Sequence, residues 1–170
     1  MNEFEIKFLG IDVAATTKRL IDLGAKKTFE GEIKPSFFMK KNSPMKAKGQ
    51  SLRLRTKGDK TELTLKQRIK NKDAKLSIET EVLVSDYDTM KKILEKLGYK
   101  QTIKPSKHRT TYSLGKYNFE FDTFPGLPTF LEVEAQSIDE LKKAVQMVGF
   151  NMKDGKPWSG KDVVKFYNRK

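Results

Sequence analysis

The sequence predicts an α+β fold, a closed antiparallel eight-stranded β-barrel with helices packed on its outside. Three observations lead there. First, charged residues recur at every second position in seven segments: Glu3/Glu5 with Lys7, Arg53/Arg55, Lys66/Arg68, Glu79/Glu81, Lys107/Arg109, Glu120/Asp122 and Glu132/Glu134. Strand side chains alternate between faces, and most of these charges interleave with Leu, Ile, Val or Phe, so each strand has one charged and one apolar face. Second, three amphipathic helical stretches need apolar surface to bury, and the strands supply it opposite their charges. Third, helices packed there turn the charged faces toward one another, and closure of the sheet then gives a barrel with a polar lining.

In chain order, the first strand holds Glu3-Phe4-Glu5-Ile6-Lys7. Asp12 caps a helix running to about Leu23, closed by Gly24. Residues 26–41 read as one extended stretch with a bulge or edge at Pro35, and residues 42–50 as a solvated loop containing Lys, Pro and Gly. Residues 51–57 and 61–70 form a hairpin about Gly58-Asp59. A strand over 76–84 precedes a helix over 87–97 whose stripe is Tyr87, Met90, Ile93, Leu94 and Leu97, ended by Gly98. Residues 99–113, 116–123 and 129–135 read as three further strands. Ser137 with Glu140 forms a capping box for a helix carrying Ile138, Leu141, Ala144, Val145 and Val148, ended by Gly149. A loop over 154–160 leads to a short terminal helix over 161–167. A unit of Glu-x-Glu strand, helix and closing glycine thus occurs three times, at Glu3/Glu5 to Gly24, Glu79/Glu81 to Gly98 and Glu132/Glu134 to Gly149. No linker separates the units, so they read as pseudo-symmetry within a single domain over 1–170.

Composition bounds the function. With 170 residues the chain can bury a core of its own. It has no cysteine, which excludes disulfides and thiolate zinc sites. A strand starts at residue 2 or 3, which leaves no room for a signal peptide, and no run of about 18 apolar residues exists, so a cytoplasmic protein without a membrane partner is expected. The formal net charge of +13 favours anionic partners without choosing among them. There is no P-loop, dinucleotide fingerprint, Ser/His/Asp constellation or zinc spacing. His108, the single histidine, has the parity opposite to Lys107 and Arg109 and reads as a surface or packing residue.

These charged strands resemble the CYTH superfamily, the triphosphate tunnel metalloenzymes. The N-terminal ExExK signature is matched by Glu3, Glu5 and Lys7, the R-x-R strand by Arg53 and Arg55, and the TxKxR strand by Thr64, Lys66 and Arg68. Glu79 and Glu81 match the next ExE strand, Lys107 and Arg109 the late basic pair, and Asp122, Phe130, Glu132 and Glu134 the closing D…F-x-E-x-E pattern. The resemblance covers nearly the whole chain. It departs over residues 34–41, where Phe37-Phe38 stands in for part of the usual pattern. It implies a triphosphate tunnel and the activities of the group: class IV adenylyl cyclase, thiamine triphosphatase or inorganic triphosphatase.

The chemistry of the residues fits that implication. A triphosphate is costly to desolvate without fixed cations. Arg53, Arg55, Lys66, Arg68, Lys107 and Arg109 are the expected substrate-binding cradle, Arg giving forked contacts and Lys point charges. Carboxylates facing a polyanion need cations between, and Glu3, Glu5, Glu132 and Glu134 offer hard oxygen ligands for Mg²⁺ or Mn²⁺. Lys7, Lys66 and Asp122 complete the expected catalytic set, with Asp122 orienting the attacking group or holding a second ion. Glu79 and Glu81 read as ligands or as holders of basic side chains, and Glu120 as the weakest member. The expected activity is metal-dependent hydrolysis of a phosphoanhydride in tripolyphosphate, ATP or thiamine triphosphate. Class IV cyclase chemistry, giving cyclic AMP and pyrophosphate from ATP, is the alternative within the fold. A non-catalytic polyphosphate or RNA binding module is the alternative outside it, although nucleic acid is not the expected partner because four paired acidic positions do not suit it. A homodimer is compatible with the chain.

Overall fold

A computed structural model describes residues 2–103 and 106–168. The order of elements is β1 (Asn2–Phe8), α1 (Val13–Asp22), β2 (Lys26–Ile33), β3 (Ser36–Lys40), β4 (Gln50–Lys57), β5 (Lys60–Ile69), β6 (Lys75–Val84), α2 (Tyr87–Lys96), β7 (Tyr99–Ile103), β8 (Lys107–Leu114), β9 (Tyr117–Thr123), β10 (Phe130–Ala135), α3 (Ile138–Met147), a 3-10 turn Met152–Asp154, and α4 (Gly160–Tyr167). The ten strands form one antiparallel sheet in the order β2-β8-β9-β10-β1-β6-β5-β4-β3-β7.

The closed eight-stranded barrel is thereby corrected on both counts. The sheet has ten strands, and its two edges, β2 and β7, are not joined to each other. The first cause is at Pro35, which cannot donate to a ladder. The extended stretch over 26–41 splits there: β2 pairs with β8, whereas β3 pairs with β4 and β7. The second is that the stretch over 99–113 is two strands, β7 beside β3 and β8 beside β2, at opposite ends of the order. The sheet nonetheless curls, and Lys57 Nζ of β4 lies 5.1 Å from the centre of the Phe29 ring of β2.

The helix ends are set locally. Asp12 accepts from Ala15 N at 2.9 Å and Asp86 from Thr89 N at 2.7 Å, each satisfying an orphan donor of a first turn. Ser137 accepts from Glu140 N, but the Glu140 carboxylate pairs with Lys116, so only half of the expected capping box forms. Gly24, Gly98 and Gly149, all with φ near +85°, close the three helices.

The main core lies on the outer face of the sheet. Ile6, Phe8, Phe119, Leu131 and Val133 pack against Leu20 of α1 and Leu141, Ala144, Val145 and Val148 of or beside α3. A smaller cluster joins Phe38 and Leu54 to Leu94 of α2. The α2 stripe is only partly used: Leu94 is buried, whereas Ile93 and Leu97 are exposed. Among the described residues no helix is long and apolar enough to cross a membrane.

Candidate active site

The inner face of the curled sheet surrounds a chamber of about 1170 Å³. Every charged position named from the sequence as a catalytic, substrate-binding or metal residue lines it: Glu3, Glu5, Lys7, Arg53, Arg55, Lys66, Arg68, Lys107, Arg109, Asp122, Glu132 and Glu134. His108 is on the other face and exposed. The lining is nearly balanced, with eleven Lys or Arg and nine Asp or Glu among the described residues. The excess of positive charge therefore lies elsewhere, and the chamber attracts a polyanion only where its carboxylates are neutralised.

Pairing explains the distribution. The three Glu-x-Glu strands, β10, β1 and β6, are neighbours, with basic β5 and β4 on one side and β8 on the other beyond β9. Glu5 stands opposite Glu134 and Lys7 opposite Glu132. Glu132 stands opposite Glu120, Lys66 opposite Glu79, and Arg109 opposite Asp122. Like charges directly opposed destabilise a sheet, so the Glu5/Glu134 and Glu132/Glu120 pairs require nearby cations.

Some of those cations belong to the protein. Lys7 Nζ bonds Glu5 and lies 2.5 Å from Glu132, and Lys75 donates to Glu5 at 2.6 Å. Burial and the Glu132 charge push the Glu5 carboxyl up, but Lys7, Lys75 and Lys66 outweigh them and hold it at about 2. Burial alone would lower the Lys7 ammonium, yet Glu132 and Glu5 raise it above the usual lysine range, so Lys7 is a fixed cation. Lys66, 3.3 Å from Glu3 and paired with Glu79, is also held protonated: burial and Arg53 lower it, and Glu3, Glu79 and Glu5 more than compensate.

The basic rows are similarly tied. Arg109 donates twice to Asp122, each at 2.6 Å, pairs with Glu120 and lies 3.5 Å from Glu132. Lys107 donates to the same Asp122 at 2.5 Å. Asp122 is wholly buried and both its oxygens are engaged, an arrangement that positions Arg109 and Lys107. Burial and the Arg109 charge hold Lys107 below the usual lysine range against Asp122, Glu132 and Glu120. Arg53 lies 3.8 Å from Glu79 and 3.7 Å from Glu81, and its Nη2 donates to Thr64 Oγ1 at 3.2 Å. Its buried Nε has no hydrogen-bond partner among the described residues. Arg55 donates to Glu62 at 2.6 Å, and Arg68 has no ion-pair partner among the described residues.

Glu134 differs from the other acids. It is half-buried, and no Lys or Arg pairs with it among the described residues. Burial, then Glu120, Glu3 and Glu132, raise its carboxyl well above the usual range, with Arg109 only partly offsetting them. Burial likewise pushes Glu3 up to about 8, with Lys66 opposing and Glu79 and Glu5 reinforcing the rise. Oxygens of Glu3, Glu5 and Glu134 lie within 4.8 Å of one another, as do those of Glu120, Glu132 and Glu134. An all-carboxylate set with an unpaired, proton-retaining member fits a hard divalent cation.

Of the further contributors to the wall, Glu120 already stood in a charged row and Lys161 in the predicted terminal helix, whereas Lys75, Ser159 and Gly160 were not singled out from sequence. Glu120, read as weakest, joins the acidic cluster because pairing places it opposite Glu132. Lys75 shares the parity of Glu79 and Glu81, a signal that was available. Ser159, Gly160 and Lys161, at the start of α4, join the wall because residue 156 bridges to β1: Lys7 N donates to Lys156 O at 3.0 Å and Lys156 N to Lys7 O at 2.8 Å. No periodicity announces that contact.

Comparison with known proteins is consistent with this geometry. The CYTH domain family model matches residues 1–154. A Methanocaldococcus jannaschii protein named "Putative adenylate cyclase" is 30% identical over 146 residues, covering 84% of this chain and 81% of the relative. A Vibrio parahaemolyticus structure, also described as a "putative adenylate cyclase", superposes with a TM-score of 0.77 at 17% identity, covering 96% of this chain and 97% of the other. A Hippeastrum protein, HpAC1, described as a "putative adenylyl cyclase" that reveals a dominant triphosphatase activity, gives 0.64 at 14% identity, covering 99% and 96%. At these identities the two structures establish a shared fold.

Proposed function

Because the chain belongs to the CYTH domain family, we propose that it is a divalent-metal-dependent triphosphatase that hydrolyses the terminal phosphoanhydride of a triphosphate held in the chamber. The observation that carries this reading is the opposition of Glu5 and Glu134, with Glu134 unpaired, between rows of buried cations. Glu3, Glu5, Glu132 and Glu134, with Glu120, would hold Mg²⁺ or Mn²⁺. When bound, such an ion neutralises carboxylates and phosphate oxygens and lowers the pKa of a coordinated water.

The chain's own residues do the rest. Arg53, Arg55, Lys66 and Arg68 from one side, and Lys107 and Arg109 from the other, hold the phosphate oxygens; Arg53 Nε is a buried donor ready for one. Lys7 stays protonated and fixes Glu5 and Glu132. Asp122 orients Arg109 and Lys107. Water forms a new bond to the terminal phosphorus, the bridging P–O bond breaks with its electron pair left on the shortened chain, and the water proton passes to solvent.

A second reading, cyclisation of ATP to cyclic AMP and pyrophosphate, is favoured by the name of the M. jannaschii relative. One assay separates the two. Tripolyphosphate, ATP and thiamine triphosphate are incubated with Mg²⁺ or Mn²⁺, and orthophosphate and cyclic AMP are quantified. Metal-dependent orthophosphate release without cyclic AMP is expected, whereas stoichiometric cyclic AMP and pyrophosphate from ATP would replace hydrolysis with cyclisation. Glu134→Gln should lower kcat about tenfold or more and raise the metal concentration needed for half-activity. Wild-type rates at limiting metal in the folded variant would remove Glu134 from the site.

A further inference from the structure

Beside the chamber lies a second, open pocket of about 730 Å³, formed by residues 47–49 and the end of β5 with the β5–β6 connection. Its charged lining residues are Lys48, Arg68, Lys70, Lys72 and Lys75, and among the described residues no acidic and no aromatic one lines it. Gly49, Arg68 and Lys75 line both spaces, so the pocket adjoins the chamber along a shared wall. Both sides are held in shape. Gly49 has φ +65°, its carbonyl accepts from Arg68 N at 2.9 Å, and a Cβ there would lie 3.2 Å from Arg68 O. Across from it, Asn71 Oδ1 accepts from Asp73 N and Ala74 N, pinning the connection. Among the described residues Lys48, Arg68, Lys70 and Lys72 have no ion-pair partner; Lys75 is engaged by Glu5. The lysine-rich loop read from the sequence as a solvated surface is thus, at Lys48, the wall of a cationic annex.

We propose that this annex holds the part of a linear inorganic polyphosphate that extends beyond the three phosphates in the chamber, making chains longer than tripolyphosphate the preferred substrate. The proposal rests on the triphosphatase reading for its chemistry and extends it in substrate length. The contrast between the two spaces is the argument. The chamber's carboxylates must be neutralised before it accepts phosphate, whereas no carboxylate is among the described lining residues of the annex, which therefore binds phosphate without a divalent ion. A bare phosphate chain fits better than RNA, because no aromatic ring lines the annex for a base to stack on.

The test uses the full chain and the triple variant Lys48→Gln/Lys70→Gln/Lys72→Gln, whose residues lie outside the chamber. Binding of fluorescent long-chain polyphosphate is measured with chelator present, and kcat/KM for tripolyphosphate and long-chain polyphosphate with Mg²⁺, each at low and at high ionic strength. The expected result is metal-free binding to wild type and about tenfold or greater loss of affinity and of long-chain kcat/KM in the variant, with tripolyphosphate turnover unchanged. Equal losses on both substrates that vanish at high salt would overturn the annex, as would tighter binding of a 5′-triphosphorylated oligoribonucleotide than of polyphosphate. If neither substrate is hydrolysed, the triphosphatase reading fails, while the chelator arm still decides whether the annex binds a phosphate chain.

Discussion

Glu134 shares the chamber wall with Glu3, Glu5, Glu120 and Glu132, and without a metal burial and the charges of Glu120, Glu3 and Glu132 oppose its ionisation, with Arg109 favouring it. The consequence for stability follows from proton linkage. Glu3, facing Lys66, Glu79 and Glu5, titrates at about 8 in the fold against an ordinary 4.5, and Glu134 is shifted the same way. The folded metal-free protein therefore retains protons that the unfolded chain releases, and stability falls as pH rises from about 4.5 through about 8. Glu5 and Glu132 are shifted downward, so their contribution is present above 4.5 and is lost only below it. Thermal denaturation in chelator should thus show Tm declining across that window, with the decline shallower in Glu134→Gln and offset by Mg²⁺ at the alkaline end. A Tm that is flat or rising there would mean these carboxyls are already compensated within the protein. Parity alone identified most of these groups. It placed Glu120 in a charged row but ranked it weakest, because the importance of a carboxylate here depends on what stands opposite it across a ladder.

Gly155 shows how one backbone contact completes the wall. It precedes Lys156, whose two hydrogen bonds to Lys7 attach the C-terminal segment to β1. Its φ of −74° is ordinary, so conformational freedom is not the requirement. Proximity is: a Cβ would lie 2.3 Å from Ile6 Cδ1 and 3.2 Å from Phe8 Cζ, both in the core. Gly155→Ala should cost roughly 1–3 kcal/mol by overpacking. It should also shift Ser159–Lys161 from the chamber, so urea denaturation and KM for tripolyphosphate are measured together. Unchanged stability would show that Ile6 and Phe8 yield without cost. The segment was legible as loop and helix, like α1 and α3, because caps such as Asp12 and Ser137 act on their own first turns. Its bridge from Lys156 to Lys7 was not, and neither was the change of ladder partner at Pro35 or the placement of β7 beside β3. Those depend on which distant strand completes a hydrogen-bond ladder, and period-two alternation is the same for every partner.

The chain carries +13 while its chamber is nearly neutral, so most of the excess is spread over the outside. That separation predicts two kinds of electrostatic effect with different salt dependence. Outer cations act through the field that guides an anion to the mouth, an effect screened beyond about 8–10 Å at moderate salt. Inner cations act by contact with a desolvated phosphate, which salt screens little. Arg53 is buried and lines the chamber, its Nε without a hydrogen-bond partner among the described residues, and Lys143 is exposed on α3. Arg53→Ala should lower kcat/KM for tripolyphosphate by roughly 2 kcal/mol or more, as for a lost hydrogen bond to a charged group, at low and high salt alike. Lys143→Ala should give a mild loss at low salt that disappears at high salt. The rates are compared at both ionic strengths, with circular dichroism showing that each variant is folded. Equal losses at the two positions, both erased by salt, would mean that the basic surface merely gathers anions and that the paired rows within the sheet serve the fold.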